Sequence, residues 1–179
     1  MSEQADNPRR AGQAKPAAGP GRAPGQRLPT RMARAADYDA IAPVLNEWWG
    51  RNILPALPRL FLDHFHRTSL IIDGPAGPGG PGSPLAFLVG ILSPSKPADA
   101  YIHFVGVSPA LRGQGVARQL YEEFFGLARD DGRTVVSAIT APVNTASIAF
   151  HRSMGFEVSG PVPDYEGPGR DYMVFTRPL

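Results

Sequence analysis

The run Arg112-Gly113-Gln114-Gly115-Val116-Ala117 carries the densest chemical signal in this 179-residue chain. Gly113 and Gly115 let the backbone turn tightly and bring successive N–H groups up to a ligand. An amphipathic stretch follows at once, so a helix N-terminus adds unpaired N–H groups and about half a positive charge. Ala117 keeps bulk away from the approach, and Arg112 offers a charge-assisted donor to phosphate. Together Arg112, Gly113, Gln114, Gly115, Val116 and Ala117 predict a pyrophosphate cradle. The segment is not a P-loop, which needs Lys followed by Ser or Thr, and it is not a G-x-G-x-x-G dinucleotide fingerprint.

Such a cradle needs a strand before it and a helix after it, and the chain supplies both. Ala100–Val107 alternates as a strand, Ser108–Gly115 is a turn, and Gly115–Arg129 places Val116, Leu120, Phe124, Leu127 and Ala128 on one helical face. Upstream, Thr30–Ala35 reads as a short strand, and Asp37 caps a helix through Ile41, Val44, Leu45 and Trp48. Pro43 fits that helix only as a first-turn irregularity, and Gly50 ends it. A second helix covers about Pro58–His66, with Leu62, Phe65 and Phe61 turned inward. Ser69–Ile72 and Leu85–Leu92 then form antiparallel strands joined by a Gly/Pro loop that holds no regular structure and moves. Downstream come a strand at Thr134–Ile139, a helix capped by Asn144 or Thr145 and closed by Gly155, and strands at Phe156–Ser159 and Tyr172–Thr176. This order predicts a mixed α/β domain of the α+β type around one central sheet.

Composition bounds the possibilities. With 42% apolar residues the chain can bury one core, and its length suits one domain. Residues 1–27 lack large apolar side chains and read as a disordered Pro/Gly/Arg-rich tail, leaving 28–179 as the domain. The tail also carries most of the excess positive charge, and the rest has no basic stripe suited to nucleic acid. There is no cysteine, which excludes disulfides, thiolate metal sites and a cysteine acyl-enzyme. The longest apolar run, Leu85–Leu92, is too short to span a bilayer, and the N-terminus has no secretory core. A soluble cytoplasmic protein without membrane or nucleic-acid partners is expected.

Strand, Arg112-x-x-Gly115-x-Ala117 and helix, followed by strand and then Asn144-x-x-Ser147-x-x-Phe150-His151-x-x-x-Gly155-Phe156, resembles the GNAT superfamily of acetyl-CoA-dependent N-acetyltransferases. The match is strongest over residues 100–156, and the element order extends it to about 31–176. The resemblance implies a mixed sheet of about six to seven strands flanked by about four helices, with the Ala100–Val107 and Thr134–Ile139 strands splayed apart. Acetyl-CoA would lie in that gap as co-substrate, its pantetheine arm along Val105 and Val107 and near Asn144 and Ser147, its diphosphate on the amides of Arg112–Ala117. By the same resemblance, the Val107 N–H is an oxyanion donor, and a homodimer is possible.

Acetylating an amine requires a base, because an alkylammonium of pKa about 10.4 costs about 4–5 kcal/mol to deprotonate at neutral pH. His103 is the candidate, since period-two geometry sets Tyr101, His103, Val105 and Val107 on one strand face. Arylalkylamine N-acetyltransferases, which this chain resembles here, have histidines at the positions of both Tyr101 and His103. Tyr101 therefore stands beside His103 among the catalytic candidates; the plainer reading of His103 is a hydrogen-bonded residue filling the sheet face. At position 151 many GNAT members carry a tyrosine that protonates the departing thiolate, and His151 is the candidate acid here. Its plainer reading is an exposed helical residue.

For the acceptor, the segment Glu47-Trp48-Trp49-Gly50-Arg51 offers an aromatic wall, a counter-charge for an ammonium in Glu47 and an anion partner in Arg51. Adjacent tryptophans sit about 100° apart on a helix, so one packs inward and the other forms the wall. His64 and His66, spaced i, i+2, point to different faces, so no metal site is expected. The acceptor is a small-molecule or peptide amine; a non-catalytic acyl-CoA-binding module on the same fold is the alternative.

Overall fold

The computed structural model describes residues 26–75 and 82–179. Most of the expected tail, and the Gly/Pro segment 76–81, lie outside the described residues. At the tail's inner end Arg27 is paired with Glu122 at 3.2 Å and Glu123 at 2.8 Å.

Seven strands form one sheet: β1 (Arg31–Met32), β2 (Leu70–Asp73), β3 (Pro84–Leu92), β4 (Asp99–Val107), β5 (Val135–Thr140), β6 (Glu157–Val162) and β7 (Tyr172–Pro178), in the order β1-β2-β3-β4-β5-β7-β6. The β4–β5 pair is parallel and the other neighbours are antiparallel. Among the described residues, four α-helices flank the sheet: α1 (Tyr38–Trp49), α2 (Leu60–Phe65), α3 (Val116–Asp130) and α4 (Thr145–Ser153). Expected strand and helix order is reproduced, with shifts at the ends. The first strand is only two residues long, because Ala35–Asp37 turns into a 3-10 helix. Asp37 stands at the start of α1 without capping it through its side chain, since its carboxylate accepts the Arg34 N–H and pairs with Arg31. Pro43 lies inside α1 beyond the first turn.

Two cores lie on opposite faces. Ile72, Ala86, Leu88, Ile102, Val136 and Phe175 pack with Leu120, Phe124 and Phe125 of α3. Ile71, Phe87 and Val89 pack with Ile41, Leu45 and Trp48 of α1 and Leu62 of α2. The buried arc of α3 is wider than its apolar periodicity suggests: Gln119, Tyr121 and Phe125 are buried, whereas Leu127 is half-buried. Gln119 is buried because its amide group ties Leu28 and Thr30 to the helix.

The register of β3 against β4 corrects one expectation. Val89 pairs with Phe104 but Gly90 pairs with Ile102, so His103 is the extra residue of a β-bulge. A bulge resets the alternation of side chains. Ala100 and Ile102 belong to the α3-side core, and Val105 and Val107 pack against that core too. Phe104 instead packs on the α1–α2 side. Tyr101, His103, Val105 and Val107 therefore do not share a face: Tyr101 precedes the bulge and opposes Ala100, whereas both valines follow it.

Candidate active site

β4 and β5 pair at three positions, Asp99 with Val135, Ala100 with Val136 and Tyr101 with Ser137, and part beyond them. The gap opens into a cleft with a chamber of about 500 Å³ and an adjoining one of about 300 Å³, both touching Val107, Arg112, Ala117 and Phe150. The backbone of β4 is turned toward this cleft. The Ser108 N–H donates to the Leu85 carbonyl at 2.8 Å. Antiparallel alternation then leaves Val107 and Val105 with their N–H and C=O groups directed away from β3. In agreement, the Val107 carbonyl meets Nε of Arg112 at 3.4 Å.

The glycine turn lies at the mouth. Gly113 (φ 75°) and Gly115 (φ 78°) are left-handed, and a side chain at either would meet no atom within 4 Å. Glycine is needed here for its backbone conformation and for open approach from outside. Val116 begins α3 without a side-chain cap, so the first N–H groups of a 15-residue helix face the smaller chamber. The Arg112 guanidinium donates to the Trp48 carbonyl at 2.6 Å, clamping the end of α1 to the turn. Gln114 reaches back to the Ala110 carbonyl at 2.9 Å. Opposite, Asn144 caps α4: its Oδ1 accepts the Ser147 N–H at 3.3 Å and its Nδ2 donates to Thr140 at 3.1 Å. Asn144 and Ser147 border the larger chamber.

Of the aromatic pair, Trp48 is buried and stacked on Phe87, with ring centroids 5.9 Å apart, and Trp49 is half-buried against Phe104. Both touch the cleft, whereas Glu47 and Arg51 are exposed and outside its lining.

His103 sits on the α1–α2 side of the sheet and does not line either chamber. Its ring lies flat on Phe61 at 3.7 Å, and its Nε2 is 3.0 Å from the Ala56 carbonyl. A carbonyl only accepts, so Nε2 carries the hydrogen and Nδ1 is the basic nitrogen of the neutral ring. Burial lowers the His103 pKa, against the opposing effects of the Ala56 carbonyl and Glu166. Burial also raises the Tyr101 pKa, with Tyr165, Glu166 and Tyr172 adding to the shift. These three residues come from the β6–β7 connection and its end, where the Tyr172 hydroxyl donates to Glu166 at 2.8 Å. Phe61 and Tyr172 were read in sequence only as a core residue and a strand end, and Glu166 not at all, because the bulge that turns His103 onto α2 and the hairpin that brings Glu166 near β4 are set by pairing partners far along the chain.

His151 is buried, not exposed, at 5% accessibility. Its Nδ1 is 2.8 Å from the Ser147 carbonyl, its Nε2 is 3.0 Å from the Tyr121 hydroxyl, and its ring stacks on Phe175 at 3.9 Å. The helix buries this face because β7 runs beneath it. Tyr121 borders the same chamber as His151 and was also missed in sequence. A signal existed: Tyr121 lies four residues after Ala117, on the same stripe of α3.

The fold and cleft define an α+β domain with a split central sheet. The model of the acetyltransferase (GNAT) family matches residues 38–156, and the chain belongs to that family. The L-methionine sulfoximine/L-methionine sulfone acetyltransferase of Pseudomonas aeruginosa is 41% identical over 61 residues, 34% of this chain and 36% of that protein. N-alpha-acetyltransferase RimI of Mycobacterium tuberculosis is 35% identical over 69 residues, 38% of this chain and 42% of that protein. The L-2,4-diaminobutyric acid acetyltransferase of Nocardia farcinica is 32% identical over 93 residues, 51% of this chain and 44% of that protein. The matches thus span less than half the length of these relatives. Among solved structures, the NatC complex bound to Gag peptide and CoA superposes with a TM-score of 0.69 at 18% identity, covering 86% of this chain and 99% of that chain. A phosphinothricin acetyltransferase from Sinorhizobium meliloti in complex with AcCoA gives 0.62 at 20% identity, covering 84% and 88%. These structural likenesses carry the fold. Among the described residues, no helix is long and apolar enough to cross a membrane, and no three His, Asp or Glu side chains gather as a metal site.

Proposed function

We propose that this protein transfers the acetyl group of acetyl-CoA to a primary amine by direct attack in a ternary complex. The observation that carries the reading is the junction of an open glycine turn with a gap between two parallel strands. Phosphate groups find helix N–H donors at one end of the cleft, and an extended amide-bearing arm finds the free backbone edge of β4 along it. Acetyl-CoA brings the activated acetyl carbonyl; this chain binds, orients and moves protons. The Val107 N–H is directed into the gap, where it would stabilise charge on the carbonyl oxygen.

The acceptor reaches the thioester from the α1–α2 side. Phe61, Tyr101 and His103, with Glu166 nearby, favour an ammonium-bearing group over an anion there. His103 takes the proton at Nδ1, and its lowered pKa keeps it neutral and ready to accept at pH 7. Without cysteine, a cysteine acyl-enzyme has no nucleophile. The relatives named above are acetyltransferases of L-methionine sulfone, of L-2,4-diaminobutyric acid and of an alpha-amine, and NatC holds a peptide, which defines the panel to try. Acetyl-CoA is incubated with the protein and L-methionine sulfone, L-2,4-diaminobutyric acid or a short peptide with a free N-terminus. Mass detection should find a product heavier by about 42 Da, one acetyl group. Tight acetyl-CoA binding with no turnover on any amine would instead favour a non-catalytic acyl-CoA-binding module.

A further inference from the structure

Tyr121 and His151 bury two polar groups among phenylalanines beside the cleft. Tyr121 is 3% exposed, with Phe125, Phe150 and Phe156 edge-on around its ring. Burying a hydroxyl and an imidazole is costly unless both are paired, and two apolar rings would fill the same space without that penalty. Their hydrogen positions follow from their partners. The Ser147 carbonyl can only accept, so Nδ1 of His151 carries a hydrogen. In a neutral ring Nε2 then accepts the Tyr121 hydroxyl. In a charged ring Nε2 donates to the Tyr121 oxygen, and the hydrogen of Tyr121 is released toward the cleft. The resembled family carries its hydroxyl at position 151 itself; here the hydroxyl arrives from α3, with the imidazole between it and α4.

We propose that Tyr121, backed by His151, protonates the departing sulfur of CoA. This rests on the acetyl-transfer reading above. As the acceptor nitrogen bonds to the acetyl carbon, the carbon–sulfur bond breaks and its electron pair stays on sulfur. The Tyr121 O–H proton moves to that sulfur, and the Nε2–H proton of charged His151 moves to the Tyr121 oxygen. Tyr121 is restored, and His151 is left neutral until solvent returns a proton after product departs. Burial raises the Tyr121 pKa, making the phenol alone a weak acid, and lowers that of His151, so the charged ring is the minor form near pH 7, a stronger acid when present and more abundant as pH falls. The other rings against His151, from Phe150, Phe156 and Phe175, are uncharged, and Arg177 of β7 lies over Phe125.

The test compares wild type, Tyr121→Phe and the double variant Tyr121→Phe/His151→Tyr, each checked for folding by near-UV circular dichroism. With acetyl-CoA and the best amine of the panel, Tyr121→Phe should lower kcat about 10²-fold or more while changing the KM for acetyl-CoA less than twofold. The double variant should recover at least tenfold, because a hydroxyl is restored from α4; a purely structural Tyr121 would not be rescued this way. A binding arm needs no acceptor. Wild type should hold CoA at least twofold more tightly than desulfo-CoA by calorimetry at pH 5.5, where the charged ring turns the Tyr121 hydrogen toward the sulfur, and Tyr121→Phe should hold both alike. The proposal is overturned by Tyr121→Phe within threefold of wild-type kcat, by a folded double variant no faster than Tyr121→Phe, or by equal discrimination of the two ligands in both proteins. If neither ligand binds wild type, the acetyl-CoA reading itself fails, a result distinct from the other three.

Discussion

His103 has its Nε2 hydrogen committed to the Ala56 carbonyl and its ring on Phe61, so Nδ1 alone is placed to take a proton. His103→Gln should lower kcat about 10²-fold and leave the acetyl-CoA KM unchanged. The working base must be neutral, so in Tyr121→Phe, where the His151 relay is silent, kcat/KM for the amine falls as pH drops through the His103 pKa. Burial places that pKa below 6.5, so the loss begins on the acid side of 6.5 and should vanish in the glutamine variant. Rate measurements from pH 5 to 8 check both points. At this scale the sequence was legible where function depends on local backbone: Gly113 and Gly115 adopt the left-handed conformations that two closely spaced glycines before a helix imply. It was misleading where a residue's facing depends on a distant partner. His103 and Val105 are two apart, yet the register against Gly90 turns them to opposite sides. His151 carries no local mark of burial; Phe175, 24 positions downstream, supplies the surface that covers it.

Among the elements, the turn before α3 and the bulge in β4 divide the work. Gly115→Val would force a β-branched residue into a left-handed conformation, costing about 1–2 kcal/mol or more, and would project a side chain into the open approach. Calorimetry should show acetyl-CoA binding lost, with the fold retained by far-UV circular dichroism; unchanged affinity would remove the turn from the site. Gly90 answers a different demand. A Cβ there would run into the Phe124 ring of α3, so Gly90→Val should destabilise the domain by about 1–3 kcal/mol in urea unfolding. The order of strands and helices could be read from periodicity because each long element carries its own apolar pattern. The first strand was expected over Thr30–Ala35, but its true extent could not be read, since two residues bear no periodicity and are held by pairing to β2.

For the whole domain, the gap between β4 and β5 leaves backbone edges that a bound ligand can satisfy. Saturating acetyl-CoA at a hundred times its Kd should stabilise the folded state by about 2.7 kcal/mol. For a domain of this size that corresponds to a rise in Tm of roughly 5–11 °C. Differential scanning calorimetry with and without ligand checks this, and Gly115→Val should show no rise. The architecture as a whole was legible because two motifs fix the order of the central elements. The proposed acceptor wall was not, being assembled from α2, β4 and the β6–β7 connection: His103 stands 42 residues after Phe61 and 63 before Glu166.

The parting of β4 from β5 makes the sheet a partition with a slit, with Val105 and Val107 looking out on one side and Tyr101 and His103 on the other. On the acetyl-transfer reading the thioester comes from the α3 side and the amine from the α1–α2 side, so they meet only at the slit, where Trp48, Trp49, Val105 and His151 line one chamber. A dead-end mimic of the amine should therefore act non-competitively toward the thioester, and only a molecule threaded through the slit, joining both halves covalently, should compete with each of them at once.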